Sequence, residues 1–228
     1  MQIKSYLMIF IGLLIILLIS HRSLAYGTLQ TPETFPKDSA PYGTPYTEWL
    51  IKWWQWHISL PAKGHPLMTP VIENCPVGES GQVSFLAHSL QGESHYTCTI
   101  PAGHAILIPI SMGECNSNEA HSESDPVLLK CATEGQRHAT FDVTIDGTRL
   151  NGLEQNYAIS RFFNMTIPED NVFNFKPGTF KAVVAGYYAF VKPLSGGPHT
   201  VDINARNTDP IDRSLNFAYH TSLVLNIK

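Results

Sequence analysis

The sequence has few basic residues and no basic stripe. Lysine and arginine together number 15 in 228 residues, against 19 aspartates and glutamates. Proteins that bind nucleic acid neutralise its phosphates with clustered lysine and arginine side chains. Nucleic acid is therefore not expected as a partner, and electrostatic attraction to anionic lipid is not expected either.

Recognisable catalytic and cofactor motifs are also absent. The chain contains no G-x-S-x-G elbow, no H-E-x-x-H motif, no glycine-rich phosphate loop and no C-x-x-C pair. Zinc sites commonly use a C-x-x-C pair, so a zinc site built on the cysteines is a weak alternative. We predict no cofactor and no metal site. These absences favour a non-enzymatic protein, and an enzyme is the alternative.

The longest apolar run is too short for an ordinary membrane span. Residues 7–19 are apolar, whereas a helix that crosses the bilayer needs about 20 such residues. Lys4 precedes the run, and Ser23 and Ala25 form a small-x-small cleavage pattern after it. We predict that residues 1–25 are a cleaved signal peptide and that the chain is secreted to the medium, a cell surface or a periplasm. An uncleaved anchor is the alternative.

Cleavage would leave 203 residues with a formal charge of −6, because Lys4 and Arg22 leave with the signal peptide. This length is enough for one domain with a substantial core. The same part of the chain holds all four cysteines, which predicts two disulfides in an oxidising compartment. Three connectivities are possible, and the local pairs Cys75–Cys98 and Cys115–Cys131 are favoured.

A tryptophan-rich helix follows a proline-rich start. Dense prolines predict an extended lead-in over residues 26–44, ahead of a single domain at residues 45–228. The helix is predicted at residues 45–60, with Thr44 as its N-cap and Pro45 in its first turn. Its polar residues form one narrow stripe, and the rest of its surface is apolar and carries Trp49, Trp53, Trp54 and Trp56. Such a helix is expected to be largely buried. Binding of a sugar or a lipid interface by these tryptophans is the alternative.

From residue 82 onwards the pattern predicts β-strands, since short apolar or alternating segments are separated by Gly, Pro and Ser. The Asp146-Gly147 pair predicts a hairpin turn. Residues 180–191 are apolar on both faces, which predicts a central strand, and Gly186 within them predicts a bulge or a close approach. Residues 114–137 are predicted to be a loop with a brief helical turn near residues 126–130. The other predicted strands lie at residues 82–87, 94–101, 104–110, 141–146 and 156–164.

The end of the chain gives the clearest strand pattern. Along residues 215–227 the side chains alternate strictly between a mainly apolar set and a mainly polar set. A hairpin with the preceding strand would place Val201 opposite Tyr219 and Ile203 opposite Phe217. Together these elements predict a mainly β protein. Its expected fold is an antiparallel β-sandwich, Ig-like or jelly-roll-like, with one N-terminal Trp-rich helix.

Histidines provide the candidate catalytic residues. In the predicted register His220 lies opposite Thr200, with Asp202 diagonal to it and His199 nearby. Thr200 and Asp202 could orient the imidazole for acid–base or metal chemistry. The simpler interpretation is a polar row that faces solvent.

Several sequence features follow the order found in a group of exported microbial proteins of unknown function, which this chain resembles. They are Trp49-x3-Trp53-Trp54-x-Trp56, Cys75 and the segment Cys98-x-Ile100-Pro101-Ala102-Gly103-x-Ala105-Ile106-x-x-Pro109-Ile110. The resemblance covers residues 45–205. It implies a shared scaffold, supplies no activity, and favours the Cys75–Cys98 pair.

The leading functional prediction is an exported, disulfide-stabilised β-sandwich that acts as a binding or surface-associated protein, with a protein or carbohydrate ligand. One alternative is a secreted hydrolase or metal-dependent enzyme that uses His199, His220 and loop carboxylates; the loop carboxylates are Glu73, Glu79, Glu93 and Glu114. The other is a sugar- or lipid-interface module built on the tryptophan helix. Asn164 also begins a glycosylation sequon, which has meaning only in a eukaryotic source.

Overall fold

Twelve strands and two α-helices make up the part of the chain that the structure describes, residues 31–228 of a computed structural model. The helices are α1 (Tyr46–Ser59) and α2 (Asp125–Glu134). The strands are β1 (Val71–Ile72), β2 (Gly78–Ser80), β3 (Val83–Phe85), β4 (Gly92–Ile100), β5 (Ala105–Asn116), β6 (Ala139–Ile145), β7 (Thr148–Arg149), β8 (Tyr157–Ile159), β9 (Phe163–Ile167), β10 (Gly178–Val191), β11 (Gly197–Asn207) and β12 (Phe217–Ile227). The predicted signal peptide lies outside the described residues. Within them, no helix has the length and apolar character needed to cross a membrane.

The strands form two sheets. Sheet I has the order β2-β3-β5-β10-β8, with β9 also paired to β10, and sheet II has the order β1-β4-β12-β11-β6-β7. The predicted mainly β sandwich with an N-terminal Trp-rich helix is confirmed. Its sheets are mixed, because β3–β5, β1–β4 and β4–β12 pair in parallel. Alternation of side chains reports which face is buried and not strand direction, so the sequence pattern did not reveal the parallel pairs.

Sheet I is covered on both faces, so the described chain has three layers. Alternate residues of β10 contact either α1 or the opposite side, where sheet II and α2 lie. This confirms the predicted central strand. Gly186 is also explained: its φ is +146°, and a Cβ there would lie 2.4 Å from the carbonyl oxygen of Ser111. The strand register shifts at the next pair, between Tyr187 and Tyr188.

Helix α1 forms the outer layer on sheet I. Its limits agree with the predicted helix to within one residue. Trp49, Trp53 and Trp54 are buried, as expected from its wide apolar surface, while Trp56 is half-buried. The predicted Thr44 cap is wrong: Pro45 occupies the N-cap position, and no side chain caps the helix.

The described part of the lead-in is attached to β10. Thr34 forms an isolated bridge with Val191, and the Phe35 ring lies 5.2 Å from the ring of Phe190. The Phe35 amide also donates to the carbonyl of Phe190. Aromatic packing and backbone pairing therefore hold residues 34–35 on the core.

Both favoured disulfides are present. Cys75–Cys98 ties the segment before β2 to sheet II, and Cys115–Cys131 ties β5 to α2. The helical turn predicted within residues 114–137 is present but longer than expected, since α2 extends over ten residues. The buried side of α2, Leu128 and Ala132, packs on sheet I. The few apolar residues of this segment were too sparse to indicate that packing.

The hairpin predictions are confirmed, and one register needs correction. Asp146 and Gly147 join β6 to β7 with φ values of 50° and 73°. In the β11–β12 hairpin Val201 lies opposite Leu223 and Ile203 opposite Thr221. The predicted register was four residues off, because the strands remain paired until Asn207 meets Phe217. An even shift keeps the same side chains inside, so the predicted buried face is correct.

Candidate functional site

A cavity of about 590 Å³ opens where β4 and β12 begin and β11 ends. Three chain segments, residues 67–70, 89–91 and 214–217, form most of its wall. None of its thirteen lining residues carries a charge. The apolar ones are Leu67, Met68, Pro70, Leu90, Met112, Leu215 and Phe217, and the others are Ser89, Gln91, Gly135, Gln136, Ser214 and Asn216.

Tyr96 fastens two of the three walls to each other. Its side chain is buried, and its hydroxyl accepts a hydrogen bond from the Ser89 amide at 3.0 Å. The same hydroxyl shares its proton between two carbonyl oxygens, that of Pro66 at 2.9 Å and that of Thr69 at 2.8 Å. One phenol thus joins the segments on either side of the cavity.

His65 and His57 support the first wall from behind. The Nδ1 atom of His65 accepts from the Leu67 amide at 3.1 Å, and its Nε2 lies 3.2 Å from the carbonyl oxygen of His57. The His57 ring stacks on Trp53 with centroids 4.5 Å apart. This wall is therefore anchored to α1.

His88 supports the second wall. Its Nδ1 and Nε2 each lie 2.8 Å from a carbonyl oxygen, of Ser89 and Pro109 respectively. Burial lowers the pKa of His88 although both carbonyls act to raise it, and burial lowers the pKa values of His57 and His65 as well. These three rings are therefore neutral at pH 7, and a neutral His88 ring donates to only one of its two carbonyls.

The third wall and the turn that leads into it are held by side chains that precede the wall in the chain. The side-chain amide of Asn207 donates to the backbone carbonyl of Leu215 at 2.9 Å. Asp209 accepts from the amides of Ile211 and Asp212, both at 2.8 Å, and these hydrogen bonds lower its pKa. The cavity therefore exists before any ligand arrives, which reduces the ordering cost of binding.

Exposed apolar side chains gather around the same end. Over residues 31–228 the three most exposed large apolar side chains are Ile211, Met68 and Val71, at 92%, 71% and 57%. Met68 lines the cavity, Val71 follows its first wall, and Ile211 precedes its third. An exposed apolar side chain such as Met68 at the rim of a cavity is a feature of binding surfaces.

His220, predicted as a catalytic candidate, projects from the outer face of sheet II. It lies opposite Asn204, not Thr200. Its Nδ1 is 2.7 Å from Glu93 Oε2, and its Nε2 is 3.6 Å from Asp202 Oδ1, so the predicted proximity to Asp202 is present. The two nitrogens point to carboxylates on opposite sides of the ring, and such an arrangement does not converge on one metal position.

His199 lies elsewhere, which corrects its predicted proximity to His220. His199 pairs with Leu225, whereas His220 pairs with Asn204, five residues further along β11. An odd separation places His199 on the other face of the sheet. Its Nδ1 is 2.6 Å from Asp146 Oδ2, and its Nε2 is 2.9 Å from the carbonyl oxygen and 3.3 Å from the hydroxyl of Ser195.

This Asp–His–Ser line contains the residue types of a hydrolase triad. Burial acts to lower the pKa of His199, but hydrogen bonds from its ring to Asp146 and to the Ser195 carbonyl outweigh burial and raise it. A carbonyl oxygen only accepts, so Nε2 carries a proton and is not free to take one from the Ser195 hydroxyl. The contact therefore ties a turn of the sheet in place.

The loop carboxylates of the enzyme alternative do not assemble around one point. Glu114 is on β5, where burial and then the nearby Glu119 raise its pKa to about 8. Among residues 31–228, one group of three metal-ligand side chains has its atoms within 4.8 Å of each other, and it consists of Glu119 with Cys115 and Cys131. Those two cysteines form a disulfide, so their sulfurs are not thiolate ligands.

Comparison with known proteins gives no family. No protein-family model matches the chain, and no curated protein matches it. One similar solved structure is a cysteine protease inhibitor from Entamoeba histolytica, with a TM-score of 0.24 and 11% identity over 69% of this chain and 96% of that chain. A likeness at this TM-score supports neither a shared fold nor a shared function.

The cavity residues escaped prediction from sequence. Met112, Gln136 and Leu215 come from three distant segments and share no motif. A weak signal existed in Ile211, an apolar residue isolated in the polar loop that precedes the third wall. Nothing local indicates that these loops meet.

Proposed function

We propose that this is an exported, non-enzymatic binding protein that takes an uncharged, apolar group of its ligand into the cavity. The observation that carries the proposal is the neutral lining of a preformed cavity of about 590 Å³. Ligand pockets commonly have volumes of about 300–1,000 Å³ and mostly apolar walls. A charged group would lose its hydration there without gaining an ionic partner.

Binding is favoured over hydrolysis because the titratable candidates lie outside the cavity. His199 and His220 are engaged by carboxylates and are absent from the lining. Two disulfides suit an oxidising compartment and support export. Met68, which lines the cavity and is exposed, extends the apolar surface that a ligand would contact.

The test is a fluorescence titration of the wild type and of Leu90→Trp with Nile red, a neutral apolar dye. The introduced tryptophan ring fills part of the cavity. We expect Leu90→Trp to bind the dye about tenfold more weakly, because the bulky ring occupies the ligand's volume. Leu129→Trp is the control, since Leu129 lies on the exposed side of α2 and outside this cavity. Circular dichroism checks that both variants are folded.

Competition then tests the charge requirement. Octanol should displace the dye, and octanoate and octylammonium should both do so more weakly. A folded Leu90→Trp that binds Nile red as tightly as the wild type, or equal displacement by all three compounds, would show that the cavity is not the site.

A further inference from the structure

A second depression, separate from the cavity, lies between α1 and strands β2, β3 and β9. Its volume is about 640 Å³. We call it the Trp56 groove. The polar stripe of α1 contributes Lys52, Gln55 and Ser59, and Asn164 of β9 stands on the far side. Unlike the cavity, this groove has three aromatic side chains and also charged ones among its lining.

Trp56 differs from the other tryptophans in its indole N–H. Trp49, Trp53 and Trp54 donate to the Pro41 carbonyl, the Leu86 carbonyl and the Tyr188 hydroxyl, respectively. Trp56 lines the groove, and its N–H has no hydrogen-bond partner within residues 31–228. A donor on a half-buried ring is thus available to a ligand.

The orientation of the Trp56 ring is tightly constrained. A Cβ atom placed on Gly78 would lie 2.5 Å from the ring, so the indole rests directly on the backbone of β2. The ring of Phe85 is 6.0 Å away. The aromatic wall of the groove is therefore rigid and loses little entropy when a ligand binds.

The polar wall is fixed as well. The Gln55 amide donates to the Thr166 carbonyl at 2.9 Å and accepts from the Thr166 amide at 3.2 Å. Arg161 donates to both carboxylate oxygens of Glu48, at 2.7 and 3.0 Å. These pairs hold planar polar groups beside Trp56 and neutralise the guanidinium.

The charges of the groove balance. Arg161 is paired with Glu48, and the remaining lining charges are Lys52 and Glu79, one of each sign. The Asn164 side chain is exposed and has no hydrogen-bond partner within the described residues. The Lys52 ammonium, the Gln55 amide and the Ser59 hydroxyl are each engaged within the protein. The Trp56 N–H and the Asn164 amide are left to a ligand, and the groove has no net charge.

The geometry points to a binding site for a neutral oligosaccharide in the Trp56 groove. Sugars present hydroxyls that both donate and accept, and C–H surfaces that contact aromatic rings. A lipid interface would require a broad apolar face, which α1 keeps against sheet I. A charged glycan would require net charge of the opposite sign.

The experiment follows the four indole N–H signals by nuclear magnetic resonance during titration with cellohexaose, maltohexaose and chitohexaose. Protein from a bacterial host carries no glycan on Asn164. At least one sugar should shift the Trp56 signal, assigned from its loss in Trp56→Phe, and leave the three buried indoles in place. Trp56→Phe keeps a ring over Gly78 and loses the N–H, so its affinity should fall about tenfold.

Asn164→Asp should also weaken binding, because it removes an amide donor and adds a charge, whereas Asn151→Asp, an exposed site elsewhere, should not. Leu90→Trp should leave sugar binding intact, which separates this site from the cavity. The inference is overturned if no sugar moves the Trp56 signal, or if Trp56→Phe binds as tightly as the wild type.

Discussion

Replacing Tyr96 with phenylalanine removes one hydroxyl that joins two walls of the cavity. Tyr96 is 2% exposed and Ser89, whose amide it accepts from, is 6% exposed. Water therefore has little access to the groups that the hydroxyl leaves behind. The Ser89 amide loses its acceptor, and the carbonyls of Pro66 and Thr69 lose their donor.

The size of the effect follows from these lost partners. A buried donor left without a partner costs about 1–3 kcal/mol, and one ordinary hydrogen bond contributes about 1 kcal/mol. We expect Tyr96→Phe to lower the free energy of unfolding by about 2–3 kcal/mol. For a chain of this size, that loss lowers the melting temperature by roughly 5–10 °C.

Urea unfolding, followed by circular dichroism, measures the change in stability, and Nile red titration measures the affinity of the cavity for the dye. In Tyr96→Phe the stability and the dye affinity should both decrease, since the same hydroxyl stabilises the fold and joins two walls of the cavity. Tyr187→Phe is the control, because its hydroxyl has no hydrogen-bond partner in the described part of the chain, and it should change stability by less than about 0.5 kcal/mol. Equal stability of the two variants would refute the assigned role of Tyr96.

Two further substitutions test the core. Glu114→Gln should stabilise the protein at pH 7.5 and have little effect at pH 5. The pKa of Glu114 is about 8 in the folded protein and near 4.5 when unfolded, so its ionisation costs stability progressively as the pH rises between those values. A stability difference that does not change with pH, in thermal melts, would contradict this. Gly186→Ala should cost about 3 kcal/mol or more, because its Cβ would collide with backbone atoms of β5 at a φ of +146°. Gly196→Ala, where a Cβ meets no atom within 4 Å, is the control, and similar urea midpoints for the two would count against the close approach.

Predictions from sequence succeeded where the cause was local. The alternation along β12, the wide apolar surface of α1 and the Asp146-Gly147 turn all depend on neighbours within a few residues. The two disulfides also follow short spacings. The predicted β11–β12 register is wrong, because the nine residues between the strands, including the turn at Asp209, set where pairing stops.

The length of α2 was underestimated for a related reason. Helix α2 carries only two buried side chains, Leu128 and Ala132, so its amphipathic signal is weak. Contact with Val183 and Ala185 of β10, together with the Cys115–Cys131 disulfide, supplies the stabilisation that local propensity lacks.

Sequence alone determined the mainly β class and the position of the tryptophan helix with its largely buried surface, because side-chain periodicity encodes which surfaces must leave water. It favoured the two disulfide pairs without excluding the other connectivities. Only the tertiary structure decided that three distant loops enclose a neutral cavity, that His199 and His220 lie apart, and that Trp56 differs from its neighbours. Those outcomes depend on contacts between segments far apart in the chain, and no local pattern records such contacts.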